Sequence, residues 1–151
     1  MTIVSQILQG KGNQVWSVTP ETTVYETLEL MAEKNIGAVL VLKDNQIAGI
    51  FSERDYARKV ALQGKSSRQT PITEVMTSPV ISIRPELSAD KCMRLMTDRK
   101  FRHLPVVADD QLVGIISIGD VVNALINEQE IIINHLEDYI TGKNYETPVT
   151  P

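Results

Sequence analysis

An internal repeat constrains this chain more than any other feature. Shifting the sequence by 65 positions lays Val15–Val60 over Val80–Leu125 without a gap, and 13 of the 46 superposed positions are identical. Pro20/Pro85, Met31/Met96, Gly49/Gly114, Ile50/Ile115, Ser52/Ser117 and Asp55/Asp120 are among them, and many other positions exchange one apolar residue for another. A gapless match of that length is not a chance event. The chain is two copies of one folding unit.

Each copy reads the same way. A short strand (VWSV, VISI) runs into Pro20 or Pro85, which suit a turn before a helix but cannot continue one backwards. Thr23 and Glu26 then form the capping box that opens the first helix; Ser88 opens its counterpart without an acidic partner. Val24, Leu28 and Met31, and again Ala89, Met93 and Met96, recur at helical spacing and predict one apolar face. Asn35–Gly37 is a helix stop. Two strands follow, AVLVL and IAGIF in the first copy, LPVV and LVGII in the second, joined by tight polar turns at Lys43–Gln46 and Asp109–Gln111. A second helix begins at Ser52 or Ser117. The unit is strand, helix, strand, strand, helix, and the fold class is α/β with two such motifs packed as a pseudo-two-fold pair.

Three segments follow from this division. Residues 1–64 carry the first motif with an N-terminal segment, 65–126 the linker and second motif, and 127–151 a helical extension and loose tail. The linker, Gln63–Thr70, is polar and contains Gly and Ser. The last helix is expected to run to about Ile140, to stop at Gly142, and to leave Asn144–Pro151 loose. Ile131, Ile132 and Ile133 exceed one buried stripe, so either the core wraps that helix or a second face meets another chain.

Composition excludes several classes. Lys+Arg number 15 against 19 Asp+Glu, a net charge of −4, which argues against a dedicated nucleic-acid binder. No apolar run approaches the roughly 20 residues of a membrane span, and Met1–Gly10 lacks the features of a secretory signal. Cys92 is the one cysteine, so no intramolecular disulfide or cysteine-based zinc site forms; a reducing cytoplasm is the expected compartment. Cys92 is expected to be partly buried and inert, Met31, Met93 and Met96 to lie in the core, and Trp16 to pack on the first strand. No nucleophile–base pair, metal cluster, phosphate-binding glycine loop or paired carboxylates suggest an enzyme.

The segments AVLVLKDNQIAGIFSERDYARKV and FRHLPVVADDQLVGIISIGDVVNAL carry a Gly-Ile-apolar-Ser-x-x-Asp unit in tandem. They resemble a pair of cystathionine-beta-synthase (CBS) domains, a Bateman module, of the small stand-alone bacterial type, and the resemblance covers about Ile3 to Ile140. It implies a regulatory module, not an enzyme and without a catalytic cofactor, that binds an adenosine nucleotide (AMP, ADP, ATP or NAD) in clefts between the copies and senses energy or redox state. It further implies a homodimer and a regulated protein of unknown identity. S-adenosylmethionine binding, or a structural protein–protein role without ligand, is the alternative.

The chemistry of the residues agrees with nucleotide binding. A helix start offers free amides and partial positive charge to phosphate, and a first-turn carboxylate accepts ribose hydroxyls. Ser52 with Asp55, and Ser117 with Asp120, are therefore the candidate grips. Ser-x-x-Asp is equally an ordinary N-cap worth ~1 kcal/mol; its duplication in register is what favours a site. Arg54 precedes one Asp and offers a charge-assisted phosphate contact; Gly119 precedes the other. By the resemblance, Ser52, Arg54 and Asp55 join Val80, Arg102 and His103 in a cationic pocket, while Ser117 and Asp120 join Val15, Gly37 and Ala38 in a less charged one. A protonated His103 facing phosphate is part of that expectation.

Overall fold

The structure, a computed structural model, describes residues 1–141; the expected stop at Gly142 and the segment Asn144–Pro151 lie outside the described residues. The described chain forms two compact units, one of residues 14–82, the other of residues 1–13 with those from 83 onward.

In the first unit, β1 (Ser17–Val18), β2 (Ala38–Lys43) and β3 (Gln46–Ser52) form a three-stranded sheet in that order, with β1 parallel and β3 antiparallel to β2. The turn between β2 and β3 places Asp44 and Asn45 at φ 52° and 62°, a hairpin geometry that short polar residues tolerate. Helix α2 (Val24–Lys34) starts on the expected capping box, where the Glu26 amide donates to Thr23 Oγ1 and the Thr23 amide to Glu26 Oε1. It ends with Asn35 in the left-handed region at φ 54°. Val24, Met31, Val39, Val41, Phe51, Val60, Ile72 and Val75 are its buried core. After Ser52 comes α3 (Glu53–Asp55), which widens into a π-helical turn over Tyr56–Ala61, with the Leu62 amide donating to Ala57 O. The second helix of this copy is thus short.

The second unit repeats the plan. Helix α4 (Ala89–Arg99) is capped by Ser88, which accepts from the Lys91 amide. Strands β4 (His103–Ala108) and β5 (Gln111–Ser117) form the hairpin, with Asp109 and Asp110 at φ 50° and 60°. Helix α5 (Ile118–Ile140) runs to the expected end. Cys92 is fully, not partly, buried, and burial pushes its thiol up to about 11, so it is inert. One element is weaker than expected. The VISI strand reduces to a single parallel bridge, Ile83 with Val106. Where Leu40 pairs with Ser17 in the first copy, the second has Pro105, whose missing N–H shortens the ladder.

The division of the chain at residue 64 does not survive as a division in space. The N-terminal segment, assigned by order to the first motif, folds as α1 (Val4–Lys11) against the second. The Val4 amide donates to Leu87 O (2.8 Å), Ser5 to Pro85 O (2.9 Å), and Ala89 to Thr2 O (2.8 Å). The segment after the linker does the same for the first copy. The Ile72 amide donates to Thr22 O (2.7 Å), Thr73 to Pro20 O (3.3 Å), and Val24 to Thr70 O (2.9 Å). Leu87 and Pro85 are the repeat partners of Thr22 and Pro20. Each copy is therefore covered, at matching places, by the segment that leads into the other. Nor is the linker merely a spacer: besides the Thr70 contact, Ser67 O accepts from the Tyr25 amide, satisfying a second orphan donor of α2.

Candidate functional site

Both Ser-x-x-Asp motifs stand where a strand passes into a helix, and both fold into the same knot. Ser52 Oγ accepts from the Asp55 amide (3.2 Å) while Asp55 Oδ2 accepts from the Ser52 amide (3.0 Å) and hydroxyl (3.2 Å). Ser117 Oγ accepts from the Asp120 amide (3.2 Å) and Asp120 Oδ2 from the Ser117 amide (2.7 Å). A second pair of bonds, which sequence reading did not foresee, orients each helix start. Gly37 O accepts from the Glu53 amide (3.1 Å), and Arg102 O from the Ile118 amide (2.8 Å). The first and third amides of the turn are thereby used, leaving the second, Arg54 or Gly119, for an anion. A Cβ built on Gly119 would meet only Ser117 Oγ, at 3.6 Å, so its approach is open.

Each carboxylate also has a resident cation, and here the copies differ. Asp55 Oδ1 accepts from Thr77 Oγ1 (3.0 Å) and lies 3.3 Å from Lys59 Nζ, one turn along in the π-helical segment; Lys59 Nζ also donates to Thr77 Oγ1 (3.0 Å). Asp55 is thus bonded at both oxygens. Asp120 instead takes Lys11 Nζ from α1, at 2.6 Å and on Oδ2, while the same ammonium donates to Ile115 O (2.8 Å). Among the described residues, the Ser117 and Lys11 bonds both fall on Oδ2. Burial raises the Asp120 pKa, but the Lys11 and Ser117 hydrogen bonds and the Lys11 charge outweigh it and hold the carboxyl below its ordinary value. It is an anion at neutral pH.

The candidate residues divide between the units. Val15, Gly37, Ala38, Ser52, Arg54, Asp55 and Val80 belong to the first, and Arg102, His103, Ser117 and Asp120 to the second. Within the first, Ala38 pairs with Ser52, Val15 and Val80 are half-buried, and Arg54 is partly exposed on α3. Within the second, His103 pairs with Ser117 across the hairpin, so its carboxylate neighbour in that unit is Asp120. Burial first, then the charges of Lys11 and Arg102, push the His103 pKa below its ordinary value against the opposing pull of Asp120. At neutral pH the ring is uncharged, unlike the imidazolium expected from sequence. Trp16 is partly buried, with Lys34 Nζ 4.3 Å from its ring centroid. Among the described residues there is no group of three or more His, Cys, Asp or Glu suited to hold a metal ion, and no helix long and apolar enough to cross a membrane.

Two tandem strand–helix–hairpin–helix units with a capped Ser-x-x-Asp at each hairpin exit define a class of paired modules, and comparison with known proteins agrees. The CBS domain profile matches residues 11–62 and again 72–127. The chain belongs to the CBS domain family. It is similar to the CBS domain-containing protein CBSX3, mitochondrial, of Arabidopsis thaliana, 38% identical over 151 residues that cover 93% of this chain and 73% of that protein. Among solved structures it is similar to a CBS-domain protein from Burkholderia ambifaria MC40-6, 49% identical with a TM-score of 0.81, covering 85% of this chain and 96% of that one. A hexameric CBS-CP12 protein from bloom-forming cyanobacteria is 27% identical with a TM-score of 0.71, covering 81% of this chain and 70% of that one.

Proposed function

We propose that this CBS pair is a regulatory module whose two Ser-x-x-Asp knots each grip the ribose and phosphate of an adenosine nucleotide, AMP, ADP, ATP or NAD(H), as a signal of energy or redox state. The observation that carries the reading is the duplication of the knot. Both copies hold a hydroxyl, a carboxylate and an open first-turn amide at one strand-to-helix junction, at the cost of tying down two side chains each time. Ribose hydroxyls bond the carboxylate and phosphate takes the amide. Binding at Asp55 exchanges bonds already made to Thr77 and Lys59, whereas Asp120 offers Oδ1. The module self-associates, as the related CBS-CP12 protein, a hexamer, does, and passes its signal to a protein whose identity the site chemistry does not specify.

The test is thermal. A ligand that binds only the folded state raises the melting temperature by mass action, so AMP, ATP or NAD at millimolar concentration should raise it and GMP less. Asp120→Ala and Asp55→Ala each remove an acceptor of ribose hydrogen bonds worth about 1.5–3 kcal/mol. Each should weaken its own site by about 10- to 100-fold in calorimetry. A response to S-adenosylmethionine alone would replace the nucleotide, and a flat response to all of them would leave a protein–protein interaction module.

A further inference from the structure

Helix α5 carries nearly all of the exposed large apolar side chains of the described chain. Val122, Ile126, Ile133, Leu136 and Ile140 are among them, with Ile133 49% and Ile140 79% exposed. Together with Gln129 these residues recur at alternating spacings of four and three from 122 to 140. That is a heptad seam, isoleucine at every a position (Ile126, Ile133, Ile140) and Val122, Gln129 and Leu136 at d. Ile132 falls at g and widens the seam; Ile131 falls at f, outside it.

We propose that this seam pairs with α5 of a second copy as a short parallel, in-register, two-stranded coiled coil. The proposal rests on the reading that the chain self-associates, and names the surface and the geometry by which it does so.

Three features select the partner. A period of 3.5 keeps one stripe facing a single partner helix, and α5 itself offers a helix with the matching stripe. Charge disfavours two other occupants of such a face. The helix has no lysine or arginine and carries Asp120, Glu128, Glu130, Glu137 and Asp138. Anionic lipid headgroups and nucleic acid would be repelled. The remaining seam residues then choose the orientation. In a parallel pair the e residues Glu130 and Glu137 face the apolar g residues of the preceding heptad, Leu125 and Ile132. In an antiparallel pair they face one another, and like charges meet. The lone polar seam residue agrees. Only in the parallel, in-register pair does Gln129 meet Gln129, where the two amides can hydrogen-bond. Reversed, each is buried against isoleucine with its amide unsatisfied. Isoleucine at each of the a positions 126, 133 and 140, with Leu136 at the last d, also favours two strands.

Cysteine crosslinking of the full chain reads this directly, because the native Cys92 is fully buried with a raised pKa and stays silent. Under mild oxidation Gln129→Cys should convert most of the protein to a covalent dimer of twice the chain mass. Asn127→Cys, two residues away on the opposite face, should give almost none. Ile133→Asp should move the sedimentation mass from dimer to monomer while the far-ultraviolet spectrum of the folded body is retained. A chain that is monomeric in solution would sink both self-association and this pairing. A dimer that Gln129→Cys fails to link, that Asn127→Cys links equally well, or that survives Ile133→Asp would sink the pairing alone. Nucleotide-induced melting shifts, measured on the same samples, report separately on the Ser-x-x-Asp reading.

Discussion

The first hairpin is covered by the chain that follows it, the second by the chain that begins the molecule. Gly49 of β3 lies under Met76, and the Thr77 amide and carbonyl both bond Ile50 (2.8 and 3.0 Å). Gly114 of β5 lies under Leu8 of α1. The two covers occupy matching places, since Val4 reaches Leu87 as Ile72 reaches Thr22, but they are built differently. One is a single 3₁₀ turn, Ile72–Glu74, running into an extended segment; the other is a two-turn helix. The difference decides the counter-ion of each candidate site. The extended cover delivers only the hydroxyl of Thr77 to Asp55, and Lys59 from the same copy supplies the charge. The helical cover carries Lys11 itself to Asp120. One repeated grip is thus buffered locally in the first copy and from the opposite end of the sequence in the second.

The largest test of that contrast is to remove the remote cover. Deleting residues 2–13 strips two buried core side chains, Val4 and Leu8, from the second unit. A single buried Leu→Ala costs about 2–5 kcal/mol, against a typical total stability of about 5–15 kcal/mol. Amide exchange protection should collapse across β4 and β5 and persist across β2 and β3. Loss spread evenly over both hairpins would mean that the covers are not private to their units.

A finer test compares the glycines beneath the covers. A Cβ at Gly49 would overlap Met76 Sδ and come within 2.8 Å of Met76 Cγ and 3.1 Å of Thr77 O, a backbone atom. At Gly114 it would meet only the Leu8 side chain, with Leu8 Cδ2 at 2.8 Å. Gly49→Ala should therefore cost more in urea melts, toward the upper end of the roughly 1–3 kcal/mol typical of overpacking, and Gly114→Ala less, because methyl groups can turn aside. The reverse order would place the more rigid cover on the second copy.

Counter-ions come next. Lys11→Ala removes both the hydrogen bond and the charge that hold the Asp120 carboxyl down, leaving burial to act unopposed by them, so its titration in a carbon-detected NMR series should move upward. The accompanying stability loss should be under about 1 kcal/mol, as for partly exposed pairs. An unmoved Asp120 would assign its low value to the Ser117 knot alone.

The smallest effect is a pH dependence confined to one copy. His103 stands where the first copy has Ala38, and its pKa is lowered on folding. The unfolded chain therefore binds the proton more readily. The stability His103 contributes is complete above about pH 6.5 and declines as the pH falls through that value toward the lower folded one. Between pH 7 and 5.5 the second unit should lose exchange protection relative to the first, and His103→Ala should abolish the difference.

Most of what is periodic or local in this fold can be read along the chain, the VISI strand being the exception. The repeat, the alternation of strands and helices, the Thr23–Glu26 box, the left-handed stop at Asn35, the tight hairpin turns and the extent of α5 to Ile140 follow from neighbours a few residues apart. They read correctly because capping, turn and amphipathic preferences act over one or two turns of chain. The family followed from the same local pattern duplicated. The relations between distant segments came from packing alone. That α1 belongs with the second copy left no signal, since its matching places, Ile3 and Pro71, Val4 and Ile72, Leu8 and Met76, lie 68 positions apart instead of 65 and share no identities. The pairing of Lys11 with Asp120, the neutrality of His103 and the short second helix of the first copy were equally hidden. Each depends on which charges and carbonyls the folded chain brings within about 3 Å, and hydrogen bonds and burial at that range are set by packing, not by the order of residues along the chain.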